Sequence, residues 1–125
     1  MVVLDASALL AVLNREPGAD VVKAHMRTAE ASIINVCEVL TKVAEVGVDP
    51  AEAQAILQSF GFRTRAFRDA HAIEVAKLRR TTIHLGLSLG DRACLVPARF
   101  SGLPVLTSDT RMAQAEVGVE IRLIR

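Results

Sequence analysis

The chain opens on a short apolar run, Val2-Val3-Leu4, that stops at a carboxylate, Asp5. Three apolar residues, two of them β-branched, predict a short buried strand. Ala6 to Leu13 is rich in Ala and Leu and predicts a helix, broken by Asn14-Arg15-Glu16-Pro17-Gly18. Helix resumes from Ala19 to Arg27, and Ala31-Ser32-Ile33-Ile34 predicts a second short strand. After Asn35, the residues Val36, Val39, Leu40, Val43 and Val46 recur at helical spacing up to Gly47. Asp49-Pro50 supplies a cap and a first-turn proline for a helix over Ala51–Ser59.

Phe62 to Phe67 mixes apolar and polar positions and predicts an edge strand, whose arginines would discourage edge-to-edge pairing. Asp69 is expected to cap a helix from Ala70 to about His84, with Ile73, Val75, Ala76 and Leu78 turned inward. A glycine-bounded loop, residues 86–90, leads to a helix over Asp91–Phe100. Leu103–Thr107 predicts a further buried strand and, like the first, it runs into a carboxylate, Asp109. A short helix over Thr110–Glu116 and a last strand over Val119–Ile124 complete the pattern. Strands alternating with helices imply right-handed crossovers and a parallel sheet. The expectation is an α/β, three-layer, Rossmann-like single domain over residues 1–125, with five parallel strands and helices on both faces.

Composition narrows the class. Of 125 residues, 51% are hydrophobic and 23% charged, which fits a compact folded protein and excludes disorder. No apolar run approaches the ~20 residues of a membrane span, and Asp5 interrupts the only stretch that could serve as a leader. A cytoplasmic protein is expected, with no membrane partner. Cys37 and Cys94 are far apart in apolar helical contexts and read as free, buried thiols of a reducing compartment. The three histidines, His25, His71 and His84, read as surface or boundary residues of helices. With no Trp or Tyr and only four Phe, base stacking would contribute little. Any nucleic acid would be held by arginine, lysine, backbone amides or metal ions.

The candidate chemistry lies in four acids. Asp5 and Asp109 follow buried strands directly, while Glu38 stands three residues after Asn35 and Asp91 three after Ser88. Those two spacings are also those of a capping box, so each acid alone is explained by helix-start chemistry. Together they say more. In a parallel α/β sheet the helix starts that follow strands share one edge, where ligands bind. That places Asp5, Glu38 and Asp109 together and brings Asp91 to them through the loop before its helix. Four converging carboxylates repel one another unless a hard, oxygen-seeking cation such as Mg²⁺ or Mn²⁺ sits among them. Ser7 and Thr107 add hydroxyl oxygens.

Such a carboxylate cage suits phosphodiester hydrolysis, because a divalent cation lowers the pKa of water and stabilises the leaving oxygen. No nucleophile elbow, phosphate-binding loop or dinucleotide fingerprint is present. Arg63, Arg65, Arg68, Arg79, Arg80, Arg92, Arg99 and Arg111 are candidates for tracking phosphates, with Arg92 and Arg111 nearest the acids in sequence.

The segments VVLDASALLAVLNREPGA, INVCEVLTKV, LSLGDRACL and LPVLTSD, in this order across nearly the whole chain, resemble the PIN-domain ribonucleases, and among them the VapC-type toxins of toxin–antitoxin pairs. The resemblance implies a PIN-like sheet of order 3-2-1-4-5, in which Asp5 and Asp109 end neighbouring strands. It also implies Mg²⁺- or Mn²⁺-dependent endoribonuclease activity with Asp5, Glu38, Asp91 and Asp109 as the acidic quartet. Thr107 matches the hydroxyl before the last acid, and the implied partners are RNA, a cognate antitoxin protein and a second copy in a homodimer.

Pro97 departs from the pattern, falling inside a helix where similar sequences carry Ala. It predicts either a kink near Ala93 or a shorter helix. Two other readings compete. A receiver-type signalling module would need paired acids after the first strand and a Lys ending the last, which the chain lacks. A non-catalytic PIN-like metal- or RNA-binding module would keep the fold and lack the hydrolysis.

Overall fold

The computed structural model describes all residues, Met1–Arg125. Its centre is β1 (Val2–Leu4), each residue of which is buried. Side chains alternate across a strand, so Val2 and Leu4 enter one hydrophobic core and Val3 the other. The helices α1 (Ala6–Leu13), α2 (Ala19–His25), α3 (Ile33–Glu45) and α4 (Pro50–Ser59) supply the first core with residues such as Leu9, Val22, Val39 and Leu57. The helices α5 (Asp69–Thr82) and α6 (Leu89–Ser101) supply the second with Val75, Leu78, Leu95 and Val96. The sheet between them has the order β3 (Arg63–Arg65), β2 (Ala29–Ser32), β1, β4 (Val105–Thr107), β5 (Ile121–Leu123), every pairing parallel. This is the 3-2-1-4-5 order that the resemblance implies. No helix is long and apolar enough to cross a membrane.

Several local expectations are corrected. The second strand begins two residues earlier than its β-branched pair suggests and ends at Ser32, whose hydroxyl accepts the Ile34 N–H at 3.2 Å and caps α3. Ile33 and Ile34 form the first turn of that helix, so Asn35 is helical and caps nothing. Strand propensity yields here to burial: Ala29 and Ala31 are small enough to lie against the helical layer. Cys37 is exposed, because it lies on the outer face of α3, whereas Cys94 is buried. Ile73 and Ala76 face solvent on α5, leaving Val75 and Leu78 to the core. The last helical stretch shrinks to a 3₁₀ turn, Met112–Gln114.

At the start of α5 it is His71 Nδ1 that accepts the Arg68 N–H, at 3.0 Å, and Arg68 is the cap. The helix α6 continues through Pro97 without interruption, so it is not shortened. A proline's missing bond and ring clash fall on the carbonyl four residues back, here Ala93. Asp91 lies upstream of that point, and its position is set by the cap instead.

Candidate metal and phosphodiester site

The four acids arrive on four different elements. Asp5 ends β1 and caps α1, its Oδ1 accepting the Ala8 N–H at 2.9 Å. Glu38 lies in the second turn of α3, Asp91 in the first turn of α6, and Asp109 just beyond β4. All four line one cavity of about 250 Å³. The only cations on its wall are Lys42 and Arg111, so two of the four negative charges have no counter-charge.

Asp5 is the most constrained. It is 4% exposed, and burial pushes its carboxyl up to about 6, partly offset by hydrogen bonds from Ser7, Thr107 and Ala8 and reinforced by the charge of Asp91. Both hydroxyls act as relays. Ser7 donates to Asp5 Oδ1 at 2.7 Å and accepts the Ser108 N–H at 2.9 Å. Thr107 donates to Asp5 Oδ2 and accepts the Asp109 N–H at 3.0 Å. Through these two oxygens the ends of β1 and β4 are tied together, and Asp5 and Asp109 are held in register. Asp5 is thus answered by two hydroxyls and one amide with no cation touching it, and a cation placed beside it would favour its ionised form.

Glu38 is also raised above the usual carboxylate range, first by burial and then by Asp91, against a hydrogen bond from Asn35 and the charge of Lys42. Asn35 Nδ2 donates to Glu38 Oε1 at 2.9 Å and to the Gly90 carbonyl at 3.0 Å, clamping α3 to α6 at the cavity wall. The Glu38 carboxylate occupies the space beside Gly90, where a Cβ would lie 1.9 Å from Glu38 Oε1, so any larger residue would have to move that carboxylate. Asp91 forms the capping box predicted with Ser88, accepting the Ser88 N–H at 2.8 Å. Asp109 accepts the Arg111 N–H at 2.9 Å, and its other oxygen lies 3.5 Å from the Arg111 guanidinium. The Cys94 thiol behind the cavity is pushed up by burial and further by Asp5, Asp91 and Glu38, which places it within the field of all three.

As the side chains stand, no three His, Cys, Asp or Glu groups are gathered closely enough to hold an ion among them. The donor chemistry nevertheless fits a hard divalent cation: four carboxylates, all oxygen, two with ionisation disfavoured by burial and by a neighbouring charge.

Of the two arginines singled out by sequence, only Arg111 reaches the cavity. Arg92 turns away, donating to the Val75 carbonyl at 2.8 Å and to the Ser88 carbonyl at 3.3 Å, and so joins α6 to α5. Arg63 and Arg65 are engaged by Glu30, and Arg99 by Glu74. Lys42 is a cavity residue that the sequence reading did not single out. Its signal was available, since it stands four residues after Glu38 on the same helix and therefore on the same face. The clamp formed by Asn35 and Gly90 had no such signal, because it joins residues 55 positions apart.

Among solved structures, the fold matches a chain of a toxin–antitoxin complex from Klebsiella pneumoniae with a TM-score of 0.79 and 17% identity, covering 100% of this chain and 98% of that one. It matches a chain of DNA-bound VapBC from Salmonella typhimurium with a TM-score of 0.75 and 19% identity, over 100% of both. A third match, PAE2754 from Pyrobaculum aerophilum, has a TM-score of 0.61 and 24% identity over 95% of this chain and 88% of that one. No curated protein matches the chain in sequence. The PIN domain family model matches residues 2–118, which is nearly the whole chain, and the protein therefore belongs to the PIN domain family.

Proposed function

We propose that this PIN domain protein is a Mg²⁺- or Mn²⁺-dependent endoribonuclease acting as the toxin of a toxin–antitoxin pair. Its implied partners are RNA, an antitoxin protein and a second copy of itself, in the cytoplasm. The observation that carries the nuclease reading is the convergence of Asp5, Glu38, Asp91 and Asp109 on one cavity with too few cations to balance them. The toxin reading is supported by the likeness to chains from toxin–antitoxin complexes.

Asp5, Glu38, Asp91 and Asp109 would hold the cation, with Asp5 as the most fixed member. When bound, such a cation neutralises the scissile phosphate and acidifies water for an in-line attack. The chain's own residues do the rest. Ser7 and Thr107 hold both oxygens of Asp5 and couple it to the backbone of residues 108 and 109. Asn35 keeps the Glu38 carboxylate against Gly90. Arg111, 60% exposed at its side chain and loosely paired with Asp109, is free to exchange that partner for a phosphate of the RNA backbone.

One observation favours the competing reading of a non-catalytic module: every acid of the quartet already accepts a hydrogen bond from the protein itself. Incubating the protein with RNA in Mg²⁺, in excess chelator, and as the Asp5→Asn variant separates the two. The nuclease reading expects cleavage in Mg²⁺ alone and none in the other two conditions. Equal cleavage by the native protein and the variant, or none by either, overturns it. Growth arrest on expression of the native chain, relieved by Asp5→Asn, tests the toxin role.

A further inference from the structure

Beside the acidic cavity lies a second one of about 330 Å³, running along the outer face of α3 and lined by Ile34, Cys37, Glu38, Thr41, Lys42 and Glu45. The two are not separate features. Glu38 and Lys42 belong to both walls, so the groove is a lateral continuation of the cavity. Lys42 stands at the junction, exposed. A lysine four residues after a glutamate on a helix would ordinarily close an ion pair with it. Here it does not: Asn35 has taken Glu38 Oε1, and no carboxylate lies within 4.0 Å of the Lys42 ammonium. Of the neighbouring cations, Arg92 is committed to two carbonyls, and Arg111, 3.5 Å from Asp109, does not line this groove.

From this we infer, on the basis of the endoribonuclease reading, that Lys42 and the groove along α3 form a subsite for the nucleotide next to the scissile phosphate. The Lys42 ammonium takes the backbone phosphate as the strand leaves the acidic cavity. The adjoining base lies on the apolar floor made by Ile34 and the Cys37 methylene. Charge complementarity selects this occupant. A polyanion that enters a cavity of four acids needs a cation at the point of exit, and Lys42 is the one cation lining this groove, with no carboxylate within 4.0 Å of it. The base needs no aromatic partner, which fits a chain with no Trp or Tyr.

The groove carries its own reporter. Cys37 is exposed and Cys94 buried, so iodoacetamide labels the groove selectively. The test uses the full chain in the cleavage-deficient Asp5→Asn background, with Mg²⁺ and a mixed-sequence single-stranded RNA oligonucleotide. RNA is expected to slow Cys37 alkylation severalfold. Adding Lys42→Ala should weaken RNA binding about tenfold, the scale of one charge-assisted contact, and lower the salt slope of log K by about 0.7, the loss of one phosphate contact on a single strand. Lys42→Arg should restore both. In the otherwise native chain, Lys42→Ala should raise KM by a similar factor with kcat within about twofold, as for uniform binding.

RNA that binds with the Lys42→Ala chain as it does with the parent, or that leaves Cys37 as reactive as before, overturns the subsite while leaving the nuclease reading standing. RNA that neither binds nor is cut by any form overturns both. Alkylation already slow without RNA, and accelerating on dilution, overturns the subsite by showing that a second copy of the chain covers the groove.

Discussion

Two carboxylates lie buried on adjacent strands and meet opposite fates. Glu30, in the middle of β2 beside Val3, is 1% exposed, and Asp5, at the end of β1, is 4% exposed. Glu30 is answered by cations from the edge strand: Arg65 at 3.1 Å and Arg63 at 3.7 Å both reach its Oε2. Asp5 is answered only by two hydroxyls and an amide, and the charge that acts on it is that of another acid, Asp91. A buried charge is tolerated when its partners are supplied with the fold. The charge of Glu30 is therefore answered through Oε2, although its Oε1 is buried without a partner, and the acid fixes β3 to β2. Asp5 is held in place by hydrogen bonds alone, with no cation of the chain in contact with it. The same distinction sorts the arginines, since Arg63, Arg65 and Arg92 are spent on the fold and Arg111 is not.

The sharpest way to break this comparison is to neutralise each acid in turn. Asp5→Asn should lower RNA cleavage by roughly 100-fold or more, as loss of a ligand-grade carboxylate does, while Glu30→Gln should leave kcat within about twofold and cost about 1–2 kcal/mol of stability, read by urea unfolding. Equal losses of activity would erase the distinction. Nearly as large is the effect expected of Gly90→Ala. Its new methyl would displace the Glu38 carboxylate, and a misplacement of about 1 Å lowers turnover by up to roughly 100-fold. Stability should change by less than about 1 kcal/mol, because the displaced atoms are the free end of a flexible side chain and alanine favours the helix.

The pH dependence sharpens the contrast further. The Asp5 carboxyl rises from 3.8 to about 6 on folding, so the folded state holds its proton more tightly. The stabilisation from the neutral form is full below pH 3.8 and is lost as pH rises through about 6. Asp5→Asn should accordingly be more stable than the native chain at pH 8, by about 2–3 kcal/mol for a shift of that size. It should gain little at pH 4, as thermal melts at both values would show. Mg²⁺ at about a hundred times its Kd should add about 2.7 kcal/mol to the native chain at pH 8 and nothing to the variant. A variant less stable than the native chain at pH 8 would count against a desolvated, unpartnered carboxylate. The smallest effect is expected of Arg92→Ala, which removes the bond to the Val75 carbonyl and should cost about 1 kcal/mol with cleavage unchanged.

The elements that carry the acids were legible because their signals are local. Buried strands running into Asp5 and Asp109 need only hydropathy and the residue that follows, and the Ser88–Asp91 capping box needs only a three-residue spacing. The start of α3 was misread because Ile33 and Ile34 favour strands, while the decision between strand and helix rested on Ser32 and on what could pack above Ala29 and Ala31. Cys37 and Ile73 were misplaced for a related reason: an apolar residue on a helix declares no face until the helix has a neighbour.

From its amino-acid order alone this protein had an alternating α/β pattern, a parallel sheet, acids just after β1 and β4 and an acid in the first turn of α6, since each depends on residues a few positions apart. Which charges cancel was decided only by folding. Glu30 found Arg63 and Arg65 across a strand pairing, Asn35 found the Gly90 carbonyl 55 residues away, and Arg92 turned to the neighbouring helix. Charge balance is a sum over neighbours in space, and no spacing along the chain reports who those neighbours are.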